Sequence, residues 1–216
     1  MKTLIVSGFT EYGSHLVNLS ERIVRTLHGK TFAGYRMVSS IFTCEIPKPE
    51  NNRGNAILHE ATRQGASGIV SLGMTSLSPG FWFETRARNL LHQPKYYPNE
   101  QNVLVDANRP PDEVLHPDLT PWRFDEVKDE IEGRRLGMME ASQDIGGFCC
   151  EHLVYEVLAA QLSLKERDRL PFTFLHLPCC PEAPRNPVEF RRSGKILLSE
   201  EGAIQGLEIL LQKASL

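Results

Sequence analysis

The chain has 216 residues, 41% of them hydrophobic and 24% charged, with a formal net charge of −3. At ~150 residues per domain this suits a single domain over residues 1–216, large enough to bury a core without disulfide or metal staples. The charge balance leaves no basic footprint for nucleic acid, no apolar run approaches the ~20 residues that cross a bilayer, and the opening MKTLIVSGF reads as a strand, not a signal peptide; a cytoplasmic protein without nucleic-acid or membrane partners is expected.

In chain order, TLIVSGF (3–9) is a continuous apolar run ending in glycine, the pattern of a strand buried on both faces. NLSERIVRTLHG follows with Ile23, Val24 and Leu27 at helical spacing and Gly29 as a stop. YRMVSSIFTCEIP is β-like and ends at Pro47. A short helix and a glycine turn then lead to a second apolar strand, Ile69 to Leu72. This β-α-β-α-β opening predicts an α/β fold: a twisted, mostly parallel sheet with helices on both faces.

Further on, FWFETRARNLL (81–91) alternates as a strand. Residues 92–121, rich in Pro, Asn and Asp, read as a long loop with a short strand at NVLVD. Thr120 is expected to cap a helix with Pro121 at its first position and Phe124, Val127 and Ile131 on its inner face. GGFCCEHLVYEVL (146–158) is a loop entering a helix, and FTFLHLP (172–178) is another buried strand. A helix in SEEGAIQGLEILLQKA closes the chain, with Ile204, Leu207 and Leu211 on one face.

The five cysteines are Cys44 and two adjacent pairs, Cys149–Cys150 and Cys179–Cys180. An odd count in a domain this large predicts reduced thiols rather than a disulfide framework. Zinc ligands are usually spaced C-x2-C or wider, so adjacent pairs do not suggest a metal cage.

In α/β sheets of this kind, ligands bind beyond the carboxyl ends of the strands. Four segments end there: SGFTEYG, SLGMTSLSPG, the loop before Cys149, and LHLPCCPE. A cysteine at a helix start is favoured as thiolate by free N–H groups and the helix dipole. A nearby histidine can carry protons for it, and a carboxylate holding that histidine completes a triad. Cysteine is equally a core residue, and His152, His176 and Glu84 have ordinary structural roles open to them. Periodicity does not separate the two sulfurs, because Cys149 aligns with Leu153 and Val157, and Cys150 with Val154 and Leu158.

SQDIGGFCCEHLVYEVL resembles the active-cysteine segment of the pyroglutamyl peptidase I (pyrrolidone-carboxylate peptidase) family of cysteine peptidases, Ser-x-x-Ala-Gly-x-Phe-x-Cys-Asn-x. FTFLHLPCCPE is similar to the family's histidine segment and FWFETRARN to its Val-Glu-Arg-x-Ala-x-Asn segment. VSGFTEYG resembles Gly-Phe-x-Pro-Phe-Gly, and Asn18 matches an asparagine before the first helix. Over nearly the whole chain, the resemblance implies Cys150 as nucleophile, His176 as general base and Glu84 as its orienting acid. It also implies Phe9, Tyr12, Met74 and Phe148 around the substrate ring, a peptide substrate, no metal or cofactor, and assembly as a dimer or tetramer. The implied reaction removes N-terminal pyroglutamate through a thioester. The departures are Glu11 for proline, Met74 for glutamine, Thr85 for arginine and Glu151 for asparagine, with Lys95 nearest to a later family arginine. They touch the residues expected to face the substrate, so the alternatives are a thiol amidase for another N-acyl group and a non-catalytic binder of peptide or protein.

Overall fold

The fold comes from a computed structural model describing every residue except 14, 46–50, 92–102, 187, 189 and 191–195. The strands are β1 (Lys2–Phe9), β2 (Thr31–Phe32), β3 (Tyr35–Phe42), β4 (Ala66–Met74), β5 (Gly80–Glu84), β6 (Ala87–Arg88), β7 (Val114–Leu115), β8 (Met138–Ser142) and β9 (Phe172–Leu177). The α-helices are α1 (Leu19–Leu27), α2 (Arg53–Gln64), α3 (Phe124–Gly133), α4 (Cys149–Leu162) and α5 (Glu200–Lys213).

Seven strands form one sheet in the order β2-β3-β1-β4-β9-β5-β8. β3, β1, β4 and β9 are parallel neighbours. β5 runs antiparallel to β9 and carries β8 parallel to itself, so the sheet is mixed with a parallel centre. The period of two sorts each strand between two cores. Leu4, Val6, Val70, Leu72, Phe81, Phe83, Leu175 and Leu177 pack with α1, α3 and α5 on one face. Ile5, Phe9, Ile69, Phe172 and Phe174 pack with α2 and α4 on the other. Helices therefore cover both faces, as the sequence predicts for an α/β fold.

Four local readings change. The 81–91 strand is two pieces, β5 and β6, interrupted at Thr85, whose amide and hydroxyl both donate to Ser142 O. Thr120 does not cap an α-helix: Thr120–Trp122 is a 3-10 turn, and Arg123, in the left-handed region at φ 51°, separates it from α3. Of the NVLVD strand only an antiparallel bridge between Leu91 and Val103 falls within the described residues. Cys44 and Cys149 are joined in a disulfide across 105 positions, against the expectation of reduced thiols. The end of β3 and the start of α4 bring these Cα atoms to 5.7 Å, inside the range that a disulfide spans. No helix among the described residues is long and apolar enough to cross a membrane.

Candidate active site

Strand β9 carries His176 on the same face as Phe172 and Phe174, the face covered by α2 and α4. On its antiparallel side Trp82 stands opposite His176, and Glu84 lies two residues on, on the same face of β5. Such a diagonal pair is within reach of long side chains, and His176 Nδ1 meets Glu84 Oε1 at 2.7 Å. On the parallel side the residue opposite His176 is Gly73. A Cβ there would stand 2.7 Å from His176 Cδ2 and 2.9 Å from Nε2. The Cδ2–Nε2 edge of the imidazole thus occupies the space of the missing Gly73 side chain, with Nδ1 turned to Glu84. Glu84 Oε2 is buried with no partner among the described residues.

The cysteine arrives from a loop. Gly146 and Gly147 hold φ of 97° and 64°, values that a side chain disfavours, and turn the chain after β8 into α4. Phe148 caps the helix without a side-chain hydrogen bond. The first-turn N–H groups of Cys149, Cys150 and Glu151 therefore lack a carbonyl within the helix. Cys150 is half-buried and free, whereas Cys149 is buried and bonded to Cys44. The disulfide separates the two sulfurs that periodicity left equivalent.

Cys150 packs on the face of the sheet that carries His176, near enough to act on the titration of the ring. Burial alone would push the imidazole down. Attraction and hydrogen bonding from the Cys150 sulfur, then from Glu84, outweigh that and raise it from 6.5 to about 10. With Nδ1 engaged by Glu84, Nε2 is the edge left for sulfur. A thiol at an uncapped helix start, an imidazole and an orienting carboxylate can transfer an acyl group through a thioester.

The remaining expected residues divide. Phe9 is buried in the apolar cluster that also holds Phe148 and Cys150. Met74 points to the opposite face, where its sulfur accepts the Leu19 N–H at 3.3 Å. Tyr12 joins that side, its hydroxyl donating to Met74 O at 2.8 Å. Asn18 is the N-cap of α1 and ties it to Thr10 O through its amide. Among the departures, Glu11 is exposed to solvent. Glu151 is buried, accepting from the Arg88 and Gly147 amides and pairing with the Arg88 guanidinium at 3.0 Å, so it braces the loop that leads to Cys150. Lys95 lies outside the described residues.

The second cysteine pair is buried in the other core. Burial, with the charge of Glu182, pushes the Cys180 thiol up against a weaker pull from Arg22. His152 is buried in α4 with Nδ1 3.3 Å from Glu156 Oε2. Sequence reasoning missed Gly73 as the platform for the imidazole, Arg88 as the partner of Glu151, and Arg53. A glycine in the strand beside His176 is the one signal that the sequence carried. The two arginines find their partners only through tertiary packing.

The mixed α/β sheet and this grouping of thiol, imidazole and carboxylate are those of a cysteine-type hydrolase. The chain belongs to the pyroglutamyl peptidase family, whose sequence model matches residues 1–215. It is 23% identical over 218 aligned positions to the pyrrolidone-carboxylate peptidase of Bacillus mycoides, covering 100% of this chain and 94% of the relative. The crystal structure of pyroglutamyl peptidase I from Bacillus amyloliquefaciens is similar with a TM-score of 0.78 at 18% identity, covering 99% of this chain and 94% of that one. A mutant pyrrolidone carboxyl peptidase from Pyrococcus furiosus gives 0.76 at 14% identity, covering 98% and 97%.

Proposed function

We propose that this cysteine peptidase removes the N-terminal pyroglutamyl residue of peptides, with Cys150 as nucleophile, His176 as proton carrier and Glu84 as its orienter. The observation that carries the assignment is the His176–Glu84 bond at 2.7 Å on the face of the sheet where Cys150 packs, in a chain of this family. The Cys150 sulfur attacks the pyroglutamyl carbonyl carbon, and the oxygen takes the negative charge beside the free N–H groups at the start of α4. His176 protonates the departing amine, the peptide bond breaks, and a thioester remains. Water then gives a proton to His176 and attacks the thioester, releasing pyroglutamate and restoring the thiolate. Positioned proton transfer of this kind contributes about 10²–10⁴-fold.

Phe9 and Phe148, packed on the side of Cys150, form one wall for the flat lactam, whereas Tyr12 and Met74, expected beside it, pack on the other face of the sheet. Family membership supports treating residues 1–216 as one catalytic domain, acting in the cytoplasm as a dimer or tetramer on peptide substrates; sedimentation equilibrium checks the assembly. The experiment for the activity is hydrolysis of a fluorogenic pyroglutamyl amide. The wild type and Cys149→Ala turn it over, and Cys150→Ala does not. Fast alkylation of Cys150 without turnover of pyroglutamyl amides points instead to a thiol amidase for another acyl group.

A further inference from the structure

Arg53 opens α2 and is only 6% exposed. Its guanidinium lies over two aromatic rings, 6.0 Å from the centroid of Phe9 and 5.6 Å from that of Phe42. One terminal nitrogen, Nη2, reaches Thr43 Oγ1 at 3.3 Å. The other, Nη1, is buried and has no hydrogen-bond partner among the described residues. The backbone beneath is fixed from α4, where Glu156 Oε2 accepts the Arg53 and Gly54 amides at 3.0 and 3.3 Å. Burial pushes the guanidinium below its ordinary range, and Glu156, Glu45 and then Cys150 pull it back.

A buried N–H of a charged group without an acceptor is expensive, and folded proteins supply such groups with protein, water or ligand. The position of this one is informative. Phe9 and Phe42 pack in the apolar cluster that contains Phe148 and Cys150, so the open donor lies on the face of the sheet that carries the thiol. The carbonyl under attack must come within ~3–3.5 Å of sulfur, beside the N–H groups of α4. A pyroglutamyl residue carries a second carbonyl, on the far side of its ring nitrogen. That oxygen is a neutral, planar acceptor, matched to a guanidinium held beside two aromatic rings.

We propose that Arg53 is a specificity-determining residue whose Nη1–H donates to the lactam carbonyl oxygen of the pyroglutamyl ring. The proposal deepens the pyroglutamyl reading above and rests on it. It explains selectivity in two ways. A site built to hydrogen-bond a group rejects the analogue that lacks it. A prolyl residue has the same ring with a methylene in place of the carbonyl, and it also carries an ammonium that the guanidinium repels. Free N-termini of every other kind meet the same repulsion.

The test is steady-state kinetics on pyroglutamyl and prolyl fluorogenic amides with wild type, Arg53→Met and Arg53→Lys. Losing one charge-assisted hydrogen bond to substrate raises KM for the pyroglutamyl amide about 10- to 100-fold in Arg53→Met. Because the bond is made equally in ground and transition states, kcat changes little. The preference for pyroglutamyl over prolyl narrows by a similar factor. Arg53→Lys keeps the charge but loses the planar fork, and its KM falls between the two. A thermal melt of each variant checks that it stays folded, because loss of the guanidinium leaves buried Glu156 with less compensating charge. An unchanged KM and unchanged preference in either folded variant overturn the proposal, as does a fall in kcat alone, which would assign the guanidinium to the developing oxyanion. A wild type that cleaves no pyroglutamyl amide overturns the functional reading and this inference with it.

Discussion

Glu84 holds His176 from a diagonal position across an antiparallel strand pair, Oε1 to Nδ1 at 2.7 Å, while Gly73 on the parallel side leaves room for the ring. The contact exists because β5 is inserted against the direction of β9. A parallel β5 would point its carboxyl end, and Glu84 with it, along the strand instead of back under the histidine.

The first prediction follows from charge. His176 is raised from 6.5 to about 10 by Cys150 and Glu84 acting against burial, so the imidazolium persists through neutral pH. The kcat/KM profile therefore stays high until its alkaline limb, set by loss of the imidazolium near pH 10. Glu84→Gln removes one of the two supporting charges and moves that limb to lower pH, with kcat/KM reduced by about 10²–10⁴-fold. Stability follows the same sign. A histidine with a raised folded pKa contributes fully below its unfolded value of 6.5 and loses that contribution as pH climbs through about 10. Urea melts of wild type should weaken across that window, and those of Glu84→Gln across a narrower one.

Gly73→Ala gives the second prediction. Its methyl would stand 2.7 Å from His176 Cδ2 and 2.9 Å from Nε2, distances that atoms do not keep. Either the ring tilts away from Glu84 and Cys150 or β4 and β9 separate. Overpacking of this kind costs about 1–3 kcal/mol, which a large domain survives. Activity should fall far more than stability does. Single-turnover kinetics beside a thermal melt distinguish this from a folding defect: a variant with near wild-type activity would show that the glycine does not set the ring.

How much of this was legible beforehand depends on the physics of each residue. β1 and β9 could be read because both faces are buried and the runs are continuously apolar. β8, MMEAS, escaped because only Met139 is buried in a short, half-exposed strand. The split of 81–91 at Thr85 and the reversed direction of β5 depend on Ser142 and on β9, partners that no local pattern reveals. Composition likewise spoke for reduced thiols, since a bond between Cys44 and Cys149 depends on where β3 ends relative to α4. Cys150, His176 and Glu84 were named through a family resemblance, not through periodicity, and the structure brings the three together. Arg53 and Arg88 were invisible: a buried arginine looks like any other until its partner is known.

The third prediction concerns the disulfide. Denatured, non-reduced protein should expose three thiols to maleimide, those of Cys150, Cys179 and Cys180. A bridge closing a loop of about a hundred residues stabilises by roughly 2–4 kcal/mol, so dithiothreitol or Cys44→Ser should lower the urea midpoint accordingly. Cys150 is not part of the bridge, and reduction leaves its thiol in place. Turnover per folded molecule should therefore persist in Cys44→Ser. Five reactive thiols without reductant would show that the bond does not form.

The fourth prediction tests the brace on the loop that leads to Cys150. Glu151 is 1% exposed and takes hydrogen bonds from the Arg88 and Gly147 amides as well as the Arg88 guanidinium. Arg88 is only partly exposed and shares its charge with Asp144 at the surface. Removing one partner of a fully buried ion pair costs ~3–5 kcal/mol because a charge is left uncompensated. Here the two amides remain, so Arg88→Met should cost less, about 2–3 kcal/mol. Glu151→Gln keeps an acceptor for those amides without the charge, and Arg88→Met in that background should cost measurably less than in wild type. The difference is the coupling energy, roughly 1 kcal/mol or more for residues in direct contact. Because Glu151 holds Gly147, three residues before Cys150, Arg88→Met should also slow alkylation of Cys150 and lower kcat in the protein that remains folded. Strict additivity in the cycle, with alkylation unchanged, would show that the pair does not position Cys150 and leave that to the glycine turn alone.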